Sequence, residues 1–195
     1  MPNEDFDALR ETMKKGAAAL REAEVPFLLG GGLAAWARGG PETDHDLDFM
    51  VKPDDAERAQ KALVASGMRP ENPPEDWLLK AYDSNDVLVD LIFRPTIGPV
   101  DDEVLGRGEE REVDAVRMRL MALEDIVVTK LLALSETHLD YGGVLQIARA
   151  LREQIDWDEV RERTSESPYA RGFFALAEEL DIIQRPSAGG DGDGP

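Results

Sequence analysis

The chain has 195 residues, 42% of them hydrophobic, which excludes disorder throughout and suits one domain or two small ones. It contains no cysteine, which excludes disulfides, thiolate metal sites and thiol nucleophiles, leaves any catalysis to oxygen and nitrogen groups, and fits a reducing cytosol. A formal charge of −19, from 41 acidic against 22 basic residues, excludes a broad basic footprint for non-specific nucleic-acid binding. A local arginine-rich groove stays open, because 16 of the basic residues are arginine.

The opening MPNEDFDALR carries acids where a secretory signal has basic residues and an apolar run. The most apolar internal stretch, Ile126 to Leu134, is split by Lys130 and is far shorter than the roughly 20 residues that span a bilayer. The expectation is a soluble, cytoplasmic protein with no membrane partner.

In chain order, Phe6, Leu9, Met13, Ala17 and Leu20 recur at the spacing of an amphipathic helix between Asp5 and Ala23. Val25 to Leu29 reads as a buried strand running into Gly30, Gly31 and Gly32, and Leu33 to Arg38 as a helix stopped by Gly39-Gly40-Pro41. Leu47 to Val51 reads as a strand with Asp48 on one face, followed by Asp54 as a helix cap and a helix to Ser66. Pro70 to Asp76 is expected as loop. Leu78 to Tyr82 and Val87 to Phe93 are expected as a hairpin around Asp83 to Asp86, its second strand apolar on both faces except for Asp90. Pro95 to Glu112 is expected as a surface loop, with Asp101-Asp102-Glu103 solvated, before a strand near Val116 to Met121. Leu123 to Leu134, Gly143 to Arg152, Trp157 to Thr164 and Pro168 to Leu180 are periodic as helices, and residues 186–195 are expected to be disordered.

Chemistry is concentrated in three places. A strand-to-helix glycine turn presents backbone N–H groups and permits close approach of a phosphate. Asp46 and Asp48, two apart, point to the same side of a strand and can converge on a hard cation. Asp90 adds a third oxygen donor, and three unpaired carboxylates on adjacent strands would repel one another unless one or two divalent ions join them. Taken singly each has a plainer explanation: a packing turn, a turn or cap residue, a structural salt bridge. Lys130, one charge in an apolar helix, either snorkels to the surface or faces a phosphate. Trp36, Trp77 and Trp157 are expected in the core or at a domain interface, with base stacking as the alternative for Trp77. His45 and His138 are expected at the surface, and Lys80 and Tyr82 either approach an acceptor or lie on a solvated strand face.

Through Leu28-Leu29-Gly30-Gly31-Gly32-Leu33-Ala34-Ala35, Asp46-Leu47-Asp48-Phe49 and Val89-Asp90-Leu91 the chain resembles the nucleotidyltransferases of the polymerase-β superfamily. The thirteen residues between Gly32 and Asp46 look like the branch with the AbiEii-type toxins of toxin–antitoxin systems and related uncharacterised proteins. The resemblance spans about residues 24 to 155. It implies an α+β fold, a mixed sheet with flanking helices followed by a C-terminal helical bundle, divided as 1–122, 123–185 and a 186–195 tail. It also implies Mg²⁺ or Mn²⁺ as cofactor and NTP as substrate, with NMP moved to a hydroxyl on RNA or tRNA, protein or a small molecule and pyrophosphate released. By the same resemblance Gly30, Gly31 and Gly32 hold the triphosphate, Asp46 and Asp48 hold metal, Asp90 joins them and helps activate the acceptor, and Lys130 and Arg38 contact the nucleotide. Glu42 and Asp44 stand where such toxins often have a basic residue and a serine or threonine. The alternative is a catalytically silent nucleotide-binding or antitoxin-like module.

Overall fold

The computed structural model describes residues 4–43 and 46–184. Helix α1 (Glu4–Glu22) leads into β1 (Phe27–Leu29), α2 (Gly31–Trp36) and β2 (Leu47–Val51). A 3₁₀ turn (Pro53–Asp55), α3 (Ala56–Ala65), β3 (Arg69–Glu71), β4 (Leu78–Tyr82) and β5 (Leu88–Ile92) follow, then α4 (Asp102–Arg107), β6 (Glu109–Val113) and β7 (Val116–Leu120). The chain then turns helical through α5 (Leu123–Leu132), α6 (Gly142–Leu151), a second 3₁₀ turn (Arg152–Gln154), α7 (Trp157–Arg163) and α8 (Pro168–Glu179). None of the helices among the described residues is long and apolar enough to cross a membrane.

The strands form one mixed seven-stranded sheet in the order β3-β4-β5-β2-β1-β7-β6. β2 runs parallel to β5 and β1 parallel to β7, while the other neighbours are antiparallel. The alternation of β2 explains its central place: Leu47, Phe49 and Val51 are fully buried on one face, where the Phe49 ring lies against Gly16 of α1, with Leu63 of α3 beside the same glycine. Asp48 points to the opposite face, toward α2. The buried hydrophobic residues form one cluster that runs from α1 through the sheet into α5, α6, α7 and α8, so the expected α+β architecture with C-terminal helices is the one observed.

Several elements differ from the sequence reading. The stretch read as loop before β4 contains β3, an edge strand that tolerates Pro70 because an edge needs no second ladder. The stretch read as the loop Pro95 to Glu112 contains α4 and most of β6. Asp101 is not merely solvated: it caps α4, its carboxylate accepting from Val104 N at 2.9 Å, with Asp102 and Glu103 in the first turn where the helix dipole favours acids. β6 reads EEREV and shows no apolar alternation, yet it pairs with β7 across Asp114-Ala115, both at positive φ (50° and 64°) as a two-residue hairpin turn requires. Asp54 does not cap α3, which follows the 3₁₀ turn with Asp55 at its N-cap and no side-chain bond. Helix α2 starts two residues early, at Gly31.

Trp36 packs edge-on to Phe6 with ring centres 5.0 Å apart, and Trp157 packs against Phe173 and Phe174, as core residues do. Trp77 does not join them and is 40% exposed just before β4, where its backbone oxygen accepts from Phe93 N at 3.0 Å and Arg94 N at 3.2 Å. His138 is exposed beside Thr137. His45, Asp44 and the expected tail at 186–195 lie outside the described residues.

The C-terminal helices are clasped by a buried charge. Asp125 on α5 is fully buried and accepts from Arg107 Nε at 3.0 Å, Arg107 Nη2 at 3.2 Å and Arg163 Nη2 at 2.6 Å. One carboxylate thus joins α4, α5 and α7. Removing it by Asp125→Ala strands two guanidinium groups, both of which reach solvent and recover part of their hydration. Calorimetric melting is expected to show a loss of roughly 2–3 kcal/mol, a Tm lower by about 5–10 °C, while Arg111→Ala, at an exposed pair on β6, shifts Tm by no more than about 2 °C.

Candidate active site

The parallel pairing of β2 with β5 sets Asp48 opposite Asp90, and the antiparallel pairing of β5 with β4 sets Asp90 opposite Lys80. Cross-strand partners share a face, so Lys80, Asp90 and Asp48 form one row across three neighbouring strands. Lys80 Nζ lies 3.7 Å from Asp90 Oδ1. Asp90 is 7% exposed and that oxygen is buried with no hydrogen-bond donor. Asp46, exposed, stands just before β2 on the same side, two residues from Asp48. Lys130, half-buried on α5, lies close enough for its charge to act on Asp48 and oppose its upward shift.

Burial pushes the Asp48 carboxyl up to about 7, the negative charges of Asp90 and Asp46 push the same way, and Lys130 and Lys80 oppose them. Burial also raises Asp90, to about 6, against the attraction of Lys80 and with further repulsion from Asp46 and Glu75. Both carboxylates therefore sit where an added cation would be favourable. Among the described residues no three acidic or histidine side chains are grouped so that they could hold a metal ion together.

The glycine turn is built around Asp48. Gly30 N donates to Asp48 O at 2.8 Å, continuing the β1–β2 ladder by one residue. Gly31 has φ +55°, and a Cβ there would collide with Asp48 Oδ2, so glycine is required both by conformation and by the carboxylate behind it. A Cβ on Gly32 would lie 2.7 Å from Thr43 Oγ1. Thr43, between Glu42 and Asp44, is not among the residues that the sequence pattern points to. Its signal is weak, since only the return of the loop before Asp46 brings its hydroxyl to the turn.

Arg38 lies elsewhere. It follows α2, its side chain almost wholly buried, with Nη1 donating to Ala34 O at 3.0 Å and Nη2 at 3.6 Å from Glu109 Oε2. Desolvation lowers its pKa, and the charges that act on it most are Glu109, Arg111 and Glu124, none of them an aspartate of the row. Gly30, Gly31, Gly32, Asp46, Asp48, Asp90 and Lys130 are brought together. Arg38 is set apart, and Lys80 and Thr43 are added.

A family model described as "Uncharacterised nucleotidyltransferase" matches residues 8–178. No curated protein matches the chain by sequence. Among solved structures, the solution structure of the antibiotic-resistance factor ANT(2'')-Ia is similar with a TM-score of 0.63 and 16% identity, covering 90% of this chain and 97% of that one. A crystal structure of ANT(2'')-Ia in complex with adenylyl-2''-tobramycin is similar at 0.62 and 17% identity, covering 84% and 98%. The lincomycin-bound lincosamide antibiotic adenylyltransferase LnuA is similar at 0.51 and 12% identity, covering 79% and 97%. At these identities the likeness is one of fold.

Asp48 and Asp90 titrate higher in the folded chain than the ordinary value of 3.8, so the fold holds more protons than the unfolded chain between about pH 4 and 7. Stability from these groups is fully present below pH 4 and is lost as pH rises through 6 and 7. Asp48→Asn fixes the neutral form. In EDTA it is expected to exceed the wild type in stability on the order of 2 kcal/mol at pH 8 and to converge with it near pH 4. Parallel urea titrations at the two pH values check this, and equal gaps at both would refute the electrostatic reading.

Proposed function

Since this chain belongs to the nucleotidyltransferase family whose model it matches over residues 8–178, we propose that it moves NMP from an NTP to a hydroxyl of a small-molecule acceptor and releases pyrophosphate. The observation that carries the reading is the opposition of Asp48 and Asp90 across β2 and β5, with Gly31 set against Asp48 so that a phosphate can approach by backbone alone.

Asp46 and Asp48 would hold Mg²⁺ or Mn²⁺, and the donorless, buried Oδ1 of Asp90 is a third oxygen suited to a cation. A divalent ion bound there supplies charge neutralisation on the triphosphate and eases deprotonation of a nearby hydroxyl. The remaining work belongs to the chain. The Gly30 to Gly32 turn and the Thr43 hydroxyl border the phosphates, and Lys130, facing Asp48, offsets their charge. Asp90, with its pKa near 6, is ionised at neutral pH and basic enough to accept the acceptor's proton. As that proton moves to Asp90, the acceptor oxygen bonds to the α-phosphorus and the bond to the β-phosphate oxygen breaks, releasing pyrophosphate. Arg38 has no role in this step.

A small acceptor is favoured over tRNA because the −19 charge repels a polyanion. ATP and a hydroxylated antibiotic-like molecule are the first substrates to try, since two similar folds are described with adenylyl-tobramycin and as a lincosamide adenylyltransferase. The AbiEii-like toxin reading, with tRNA as acceptor, ranks below it on the same charge argument.

Calorimetric titration of ATP, GTP, CTP and UTP with Mg²⁺ tests the first half. Binding is expected for at least one, lost in Asp46→Ala/Asp48→Ala, and weakened at least tenfold by Gly31→Ala. Label from α-³²P-NTP is then followed into a panel of hydroxylated amines, sugars and tRNA. Asp90→Asn should keep nucleotide binding and lower transfer about 10²–10⁴-fold. Absence of binding to all four nucleotides defeats the proposal. Binding without transfer to any acceptor in the panel would favour the silent nucleotide-binding module instead.

A further inference from the structure

The three aspartates face two ammonium groups of unequal placement. Lys130 reaches the row from α5, on the side of Asp48. Lys80 is part of the row itself, on β4, with Nζ 3.7 Å from the buried Asp90 Oδ1. Its backbone is fixed on both flanks: β4 pairs with β5 through Asp90 and with β3 through Glu71, and Gln60 Nε2 from α3 donates to Lys80 O at 3.0 Å. The row across β3, β4, β5 and β2 therefore reads Glu71, Lys80, Asp90, Asp48, a cation flanked by carboxylates. An ammonium in that position does for Asp90 what a divalent ion would do: it supplies positive charge to a carboxylate oxygen that has no hydrogen-bond donor.

We propose that Lys80 is the resident counter-cation of Asp90, so that the site loads a single divalent ion, on Asp46 and Asp48, in place of a pair. The inference rests on the metal-dependent reading above and narrows it. Placement supports it: the Lys80 ammonium stands beside the one Asp90 oxygen that is buried without a hydrogen-bond donor, so a second divalent ion on that oxygen would have to displace a charge of its own sign. Glu71, next in the row on the outer side, gives the Lys80 side chain a second carboxylate within the same face when Asp90 takes up the acceptor's proton. Lys80 is thus a positioning residue: it orients and neutralises Asp90 and leaves the phosphates to Lys130.

The test is Mn²⁺ titration of the full chain with a non-hydrolysable ATP analogue, free Mn²⁺ being read by electron paramagnetic resonance. The wild type is expected to bind one Mn²⁺ per chain. Lys80→Met is expected to bind a second, at least tenfold more tightly than any weak second ion of the wild type. Lys80→Arg should restore one-ion behaviour, and Asp90→Asn in the Lys80→Met background should abolish the gained ion. Circular-dichroism melting confirms that each variant is folded, and Lys80→Gln replaces Lys80→Met if the latter is not. Two ions in the wild type, or identical isotherms for the wild type and Lys80→Met, overturn the proposal while leaving the metal-dependent reading intact. No Mn²⁺ bound by the folded wild type in the presence of the analogue would instead sink that reading and this proposal with it.

Discussion

Two carboxylates placed opposite one another on adjacent strands at the centre of a sheet are the constraint to which the rest of this structure answers. Unit charges about 5 Å apart repel by about 3 kcal/mol even at an effective dielectric constant near 20. Asp48 and Asp90 lie in parallel register within strands whose other residues are almost all buried and apolar. A fold that needed only a core would place valine or isoleucine at both positions. This one keeps the pair, raises the pKa of both members, and brings Lys80 and Lys130 to them from two further elements. The repulsion is distributed over neighbours rather than removed, which leaves a standing affinity for added positive charge.

The surrounding architecture makes room for that pair. β2 and β5 are parallel neighbours at the middle of the order, which lets residues far apart in sequence enter one row. The turn after β1 gives up three side chains where the carboxylate of Asp48 and the hydroxyl of Thr43 come close, and Gly31 accepts a left-handed backbone to do so. Helix α1 covers the opposite face, where Gly16 admits the Phe49 ring and Leu63 of α3 comes alongside.

What could be read in the sequence was whatever repeats locally. The stripe of α1, the glycine turn, the two-residue spacing of Asp46 and Asp48 and the lone aspartate in an apolar strand each show within ten residues. β6 escaped because an exposed edge strand alternates charge with charge, and α4 because a six-residue helix has too few turns to display a stripe. The Lys80–Asp90 pair depended on the register of a hairpin, and Asp125 with Arg107 and Arg163 joined positions 18 and 38 residues apart, for which local pattern carries no signal. Arg38 shows the same limit: its place after the glycine-turn helix says nothing of its partners, and only the structure shows it braced against Ala34 and Glu109.

That last class of interaction also determines how the row is completed. Helix α5 is buried on almost every side, so nothing in its apolar faces selects one rotation about its axis over another. Asp125 removes that freedom: its two arginine partners come from α4 and α7, and they hold one azimuth of the helix. Lys130 follows five residues later, about 140° further round at 3.6 residues per turn, on a different side of the helix from the clasp, where its charge acts on Asp48. The arginine-rich composition has its use here, since a planar guanidinium can grip a buried carboxylate with two nitrogens at once, as Arg107 does with Asp125. The row takes a lysine at Asp90, whose compact ammonium answers a single carboxylate oxygen.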